Sequence, residues 1–222
     1  MYNIPTYDLD KLKTIISLIG PRSCPYDINF HCHTTYSDGS LSPSQVIHQA
    51  TIYRIKHIAV TDHHSIKAIP EMHRWIENNS LKFQELPNIW SGIEISCLLK
   101  KCLVHVVGLG FDPSHNALKP YISGESPIGH FLFADNVARA IHEAGGLVIL
   151  AHPGRYRLHH NELIEEAKRL DFDGGEAWYD YDYSTPWRVS EFICSAIHKN
   201  LKYHNLISTC GTDTHGRSIL CR

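Results

Sequence analysis

The chain has 222 residues, 43% hydrophobic and 20% charged, with a formal net charge of -2 and a sequence pI near 6.8. That balance suits one soluble globular domain and excludes a fibrous repeat, a disordered chain or two independent cores. Near-neutral charge also excludes a global basic field, so a nucleic-acid partner has to be held locally, and small phosphorylated ligands suit the chain better than long polymers. Along the chain, residues 9–19 carry apolar side chains at helical spacing and stop at Gly20-Pro21, which predicts a short leading helix acting as a lid or brace. Residues 26–33 alternate Ile28, Phe30 and Cys32 with Asn29, His31 and His33, the period of a strand that projects both histidines from one face. After a Ser-Asp-Gly-Ser turn at 37–40, Ser42-Pro43 caps and opens a helix that ends near Arg54.

The alternation then repeats, with strands at 57–61, 89–95, 102–109, 147–151, 174–178 and 206–210 and helices at 70–78, 131–144, 161–170 and 186–200. Strands separated by helices imply parallel strands with crossover helices, either an α/β barrel or a doubly wound open sheet. Residues 112–129, with their Pro and Gly, form the longest expected surface loop.

Polar residues collect at the strand ends. They are His31 and His33 followed by Asp38, then Asp62-His63-His64, Glu94, His105, His152, and last Asp213 and His215. In a parallel α/β fold these ends share one pole, where active sites are built. A lone strand-end His is ordinarily a hydrogen-bonded surface or core residue, and Glu94 or Asp38 alone would be an ordinary carboxylate. Repetition changes the reading, because so many titratable side chains at one pole need cations to compensate them. Imidazoles mixed with carboxylates suit Zn, Mn or Fe and argue against Ca or a Cys-rich structural zinc. Leaving aside Asp62 and His64, nine candidates exceed the needs of one ion. Two or three ions sharing bridging carboxylates generate hydroxide at neutral pH and clamp the oxygens of an in-line phosphoryl displacement, which predicts phosphate-ester hydrolysis.

The ordered set His-x-His with Ser-Asp-Gly, Thr-Asp-His, Gly-x-Glu, Ala-His-Pro-Gly-Arg-Tyr and Gly-Thr-Asp-x-His resembles the PHP (polymerase and histidinol phosphatase) superfamily over residues 27–216. The resemblance implies a distorted (β/α)7 barrel with a trinuclear metal site at the C-terminal ends of the strands, and so favours barrel over open sheet. It implies one ion held by His31, His33, Glu94 and Asp213, a second by Glu94, His105 and His152, and a third by Asp38, His63 and His215, with a hydroxide between the first two attacking phosphorus. The expected cofactors are three divalent ions, Mn, Fe or Zn.

Within the superfamily, the Ala-His-Pro-Gly-Arg-Tyr and Gly-Thr-Asp-Thr-His-Gly segments are most similar to the branch that hydrolyses nucleoside 3',5'-bisphosphates, some members of which trim short RNA from the 5' end, and to small cyanobacterial and plant PHP-domain proteins. The expected activity is hydrolysis of phosphate monoesters of small nucleotides, with 5'-3' exonuclease action on short RNA or DNA. The alternatives are a phosphatase for another metabolite such as histidinol phosphate, and a non-catalytic metal-binding interaction module. Arg155 is the phosphate-binding candidate, against a surface pairing with Glu162 or Glu165. His64 is a candidate phosphate contact or proton donor to the leaving group, against a solvated imidazole. Asp62 is expected to orient a neighbouring ligand. Trp178, Tyr179, Tyr181 and Tyr183 could stack on a base or pack at the rim.

Relatives of this branch carry a longer insertion than residues 110–146 provide, and a final helix after the last motif, whereas this sequence ends six residues after Gly216. The expected division is a helical segment, 1–26, packing on the barrel, and a phosphoesterase domain, 27–222. Seven cysteines without a CxxC pair, no signal peptide and no apolar run near the ~20 residues of a membrane span lead to a cytoplasmic chain with reduced thiols, no membrane association and no protein partner.

Overall fold

The computed structural model describes residues 8–222, so the first seven residues of the 1–26 segment lie outside the described residues. In chain order the elements are α1 (Leu9–Ser17), β1 (Ile28–Asn29), α2 (Pro43–Ile52), β2 (His57–Ala59), α3 (Ala68–Asn79), β3 (Asn88–Trp90), β4 (Gly92–Leu99), β5 (Cys102–Leu109), α4 (Ala134–Glu143), β6 (Leu147–Leu150), α5 (His160–Arg169), β7 (Gly174–Trp178), α6 (Glu191–Tyr203) and β8 (Ile207–Cys210). Short 3-10 turns stand at Asn116–Tyr121 within the expected long loop, at Gly129–Leu132 across its end and the start of the helix expected at 131–144, and at Pro153–Arg155.

The fold is α/β. β1, β2 and β3 form a parallel three-stranded sheet, and β4 to β8 form a five-stranded sheet in sequence order. Isolated parallel bridges join the two sheets at both seams, His63 with Glu94 and Cys32 with Thr214. The expectation of parallel strands throughout fails at β5, which runs antiparallel to both β4 and β6. A two-residue turn is the cause: Lys100 and Lys101 both adopt positive φ, 51° and 61°, the left-handed pair that closes a tight hairpin and leaves no room for a crossover helix. The expected single strand at 89–95 is likewise two strands in different sheets. The break falls at Ser91, whose hydroxyl donates to the Phe111 carbonyl at 2.6 Å.

Local chemistry explains the helices. At the start of α2, Ser42 accepts from the Gln45 backbone while the Gln45 side chain accepts from Ser42, a reciprocal capping box. Residue Arg54, at φ 57°, lies just beyond its end and turns the chain out of the helix. The larger core joins β4 to β8 with the apolar faces of α1, α4, α5 and α6; a smaller one joins Val46, Ile47 and Ala50 of α2 with Ile58, Val60 and Met72. Leu12 and Ile16 of α1 are buried, and a Cβ at Gly110 would meet Leu12 Cδ2 at 2.6 Å. Gly110 follows Leu109, which pairs with Leu147 at the start of β6. α1 is therefore a brace across the pole where the parallel strands begin, not a lid over the pole where they end. Among the described residues, no helix is long and apolar enough to cross a membrane.

Candidate metal centre

The strand ends are drawn together by the backbone. Asp213 N–H donates to the His31 carbonyl at 2.8 Å and His33 N–H to the Thr214 carbonyl at 3.0 Å, which stitches the end of the first strand to the end of the last. Gly211 permits this approach, since a Cβ there would collide with His31 Cβ. At the other seam, Glu94 N–H donates to Asp62 O and His64 N–H to Glu94 O. Three non-glycine residues here hold positive φ, His64 (50°), His152 (27°) and Asp213 (52°), strain of the kind that persists where surroundings dictate side-chain direction.

Glu94, 1% exposed, is the hub. Its Oε2 lies 3.1 Å from His31 Nε2, 3.1 Å from His33 Nε2 and 3.5 Å from His63 Nδ1. Its Oε1 lies 3.0 Å from His105 Nδ1 and 3.2 Å from His152 Nε2. Asp213 turns Oδ1 to the same centre, 3.3 Å from His31 Nε2 and 3.2 Å from His33 Nε2. Its Oδ2 faces away and accepts from Tyr179 Oη at 2.6 Å, Arg155 Nη1 at 3.0 Å and Arg222 Nη2 at 3.1 Å. Asp38, 53% exposed, stands on the open side with Oδ2 3.2 Å from His215 Nε2.

Three groups bring one ligand atom per residue within 4.8 Å of one another: His31, His33, Glu94 and Asp213; His33, Asp38, His63 and His215; and His63, Glu94 and His105. His33 and His63 thus each touch two groups. His152 falls outside the third group, although its Nε2 reaches the same Glu94 oxygen as His105.

Burial and charge act against each other here. Burial disfavours the charged imidazole of His31, but Glu94, Glu176 and Asp213 outweigh it and raise its pKa well above the ordinary value. His33 is likewise opposed by burial yet raised to about 9 by Asp213 and Glu94. Burial would push Glu94 and Asp213 up, and the surrounding histidines, His31 first, hold both well below the ordinary carboxylate range. Burial lowers His63 to about 4. The residues present suit divalent ions. His31 Nε2, His33 Nε2, His63 Nδ1 and Glu94 Oε2 point at one another, are buried, and have no hydrogen-bond partner; orphaned donors and acceptors this deep call for a compensating cation.

The other residues expected at this pole fall around the centre. Arg155 does not pair with Glu162 or Glu165; it turns inward to Asp213 and to Tyr179 Oη at 3.3 Å. His64 is buried in the wall, its Nε2 3.3 Å from both Ser96 Oγ and Ser126 Oγ, and burial lowers its pKa to about 4. It is thereby a neutral imidazole, neither solvated nor charged. Asp62 accepts from Thr34 N and Oγ1 at 2.6 Å each and from Ser37 Oγ at 2.7 Å, and Ser37 Oγ in turn lies 3.4 Å from His33 Nδ1. Of the four aromatics at 178–183, Trp178 and Tyr179 are buried while Tyr183 is 67% exposed.

Sequence reasoning missed Glu176, whose Oε1 lies 3.1 Å from His31 Nδ1 and whose Oε2 accepts from His152 N at 2.9 Å. It fixes His31 so that Nε2 faces the centre, the usual work of a carboxylate behind a metal-binding imidazole. Its signal was present: one charge in the middle of a wholly buried strand. Arg222 was missed as well.

The PHP domain family matches residues 29–119. The 5'-3' exoribonuclease Rnm of Salmonella typhimurium is 35% identical over 101 residues, 46% of this chain and 32% of that protein. The 3',5'-nucleoside bisphosphate phosphatase of Chromobacterium violaceum is 33% identical over 92 residues, 41% of this chain and 30% of that protein. Each match therefore spans about a third of the relative's own length. Among solved structures, an amidohydrolase from Chromobacterium violaceum superposes with a TM-score of 0.70 at 20% identity, covering 86% of this chain and 88% of that one, a likeness of fold.

Proposed function

We propose that this chain, whose residues 29–119 match the PHP domain family, is a metal-dependent phosphoesterase, a hydrolase of phosphate monoesters in small nucleotides such as a nucleoside 3',5'-bisphosphate, with 5'-3' exonuclease action on short oligonucleotides. The observation that carries the proposal is the convergence of five imidazoles on the two oxygens of buried Glu94, with ligand atoms left unpartnered. The relatives named above act on RNA and on nucleoside bisphosphates, which supports a nucleotide substrate.

Three sets of residues would hold divalent ions, Mn, Fe or Zn by their mixed nitrogen and oxygen donors. They are His31, His33, Glu94 and Asp213; Glu94, His105 and His152; and Asp38, His63 and His215. Such ions supply Lewis acidity and lower the pKa of water to near neutral. Glu94 spans the first two sets. Arg155, its side chain 36% exposed, keeps Nη1 on Asp213 and offers its remaining N–H groups to a phosphate, a bidentate recognition that Lys could not match. Tyr183 supplies the one open ring face of its aromatic stretch for a base. His64, its Nε2 near Ser96 Oγ and Ser126 Oγ, is the second candidate phosphate contact or proton donor to the leaving group.

We read the two sheets as one distorted barrel; the seam hydrogen bonds from Phe30 N to Cys210 O and from Glu94 N to Asp62 O support this. The 1–26 segment serves as brace to a 27–222 phosphoesterase domain. Seven free thiols accord with a cytoplasmic location.

With Mn present, the purified chain is expected to release phosphate from a nucleoside 3',5'-bisphosphate and mononucleotides from short 5'-phosphorylated RNA, and His31→Ala or Asp213→Ala is expected to abolish both. Equal rates in wild type and variants, or no release from any phosphomonoester, would sink the proposal; bound metal without release would favour a non-catalytic module.

A further inference from the structure

The carboxylate of Asp213 is held at both oxygens by different chemistry. Oδ1 meets only imidazoles of the centre, whereas Oδ2 collects the Tyr179 hydroxyl and two guanidinium groups. One guanidinium is enough to neutralise the outward oxygen, so the second requires a reason.

The two arginines differ in how they are held. Arg155 has a side chain 36% exposed and comes from the turn after β6. Arg222 has a side chain 11% exposed. Its guanidinium carbon lies 5.1 Å from the centroid of Tyr179 and 4.3 Å from that of Tyr183, contacts that stabilise a cation against the negative ring faces. The preceding residue is tied down by the Thr214 hydroxyl, which donates to the Cys221 carbonyl. Arg222 Nη1 is buried without an acceptor, so a substrate phosphate does not reach it as it stands. Tyr183 holds a positive φ of 55°, a backbone conformation a non-glycine residue keeps only where its surroundings dictate it, and its ring lies against the guanidinium.

We propose that Arg222, clasped by Tyr179 and Tyr183, is a positioning residue of the metal centre: it keeps Asp213 Oδ2 occupied so that Oδ1 alone faces the ions, and leaves Arg155, which spends only Nη1 on Asp213, its other N–H groups for the substrate. Tyr183 acts as the keeper of Arg222 and turns its other face to the base. This rests on the metal-centre reading above. The division of labour separates two effects. Loss of Arg222 lowers metal retention, and loss of Arg155 raises KM.

The test is equilibrium dialysis of the full chain against Mn, with bound metal counted per chain for wild type, Arg222→Met, Arg222→Lys, Tyr183→Ala and Arg155→Met, followed by steady-state kinetics on one nucleotide monoester. Met keeps the stem between the rings and removes the donors. Arg222→Met is expected to weaken Mn binding about 10–100-fold, the usual cost of losing a partner behind a metal ligand. Arg222→Lys should recover part of that loss, and exposed Tyr183→Ala should show a smaller loss in the same direction. Arg155→Met is expected to change KM more than Mn affinity. Wild-type Mn affinity in both Arg222→Met and Tyr183→Ala would overturn the proposal while leaving the metal centre standing; absence of Mn binding in wild type would overturn both. Should Arg222→Met fail to fold, Tyr183→Ala and Arg222→Lys decide alone.

Discussion

At the scale of single residues, the centre is a set of charges that satisfy one another imperfectly. His31 and His33 have raised pKa values, His33 about 9, so in the metal-free chain His33 carries a proton at neutral pH. A folded pKa above the unfolded value near 6.5 means the His33 contribution to stability is complete below about 6.5 and lost as pH rises through about 9, and His31 shifts in the same direction. Glu94 and Asp213 are depressed; their contribution is present above about 4.5 and lost as pH falls below it. The melting temperature of chelated protein is therefore expected to fall between pH 8 and pH 10, and Mn addition at pH 7 to release protons, because imidazoles must deprotonate to bind. A flat melting profile across that range, with no proton release by pH-stat, would contradict the arrangement. The nine strand-end candidates were legible because they follow apolar alternation. Glu176 showed only as a lone charge in a buried strand; its role was not legible, since that depends on a partner 145 positions away.

At the scale of elements, the sequence yielded β5 and β7 to the residue and the α2 cap at Ser42, though not its reciprocal partner Gln45. What it could not yield was direction. A buried strand shows the same alternation whichever way it runs, and Lys100-Lys101 lacks the Asn-Gly signature of the tight turn it makes. That mismatch carries a prediction: two left-handed lysines cost stability that Asn and Gly would not. Lys100→Asn combined with Lys101→Gly is expected to raise the unfolding free energy by about 1 kcal/mol in urea titration, with no change in kinetic constants. Loss of stability in the double variant would show that the lysine side chains contribute more than the turn costs.

At the scale of the whole molecule, the expected barrel was a matter of resemblance. Periodicity alone could not choose between a closed and an open sheet, and the structure has two sheets joined by isolated bridges. Both seams lie at the metal centre: His63 with Glu94 at one, Cys32 with Thr214 at the other. Ions bound there would tie the sheets to each other as well as serve the proposed chemistry. Saturating Mn, at about 100 times its Kd, is expected to add about 2.7 kcal/mol to the unfolding free energy, read as a rise in melting temperature that EDTA reverses. An unchanged melting temperature would show that the seams hold equally well without ions.

The stitching of the first strand to the last has a consequence for how the molecule comes into being. Thr212 N–H donates to Asn29 Oδ1 across 183 positions of sequence, and contacts of that separation form late, after loop closure over nearly the whole domain. A growing chain on the ribosome displays His31, His33 and His63 long before Asp213 and His215 exist. It can offer a passing ion only an incomplete set of donors. If ions bind as proposed, loading would wait for the finished fold, and the ion retained would be chosen by the geometry of a completed cage rather than by which ion the nascent chain meets first.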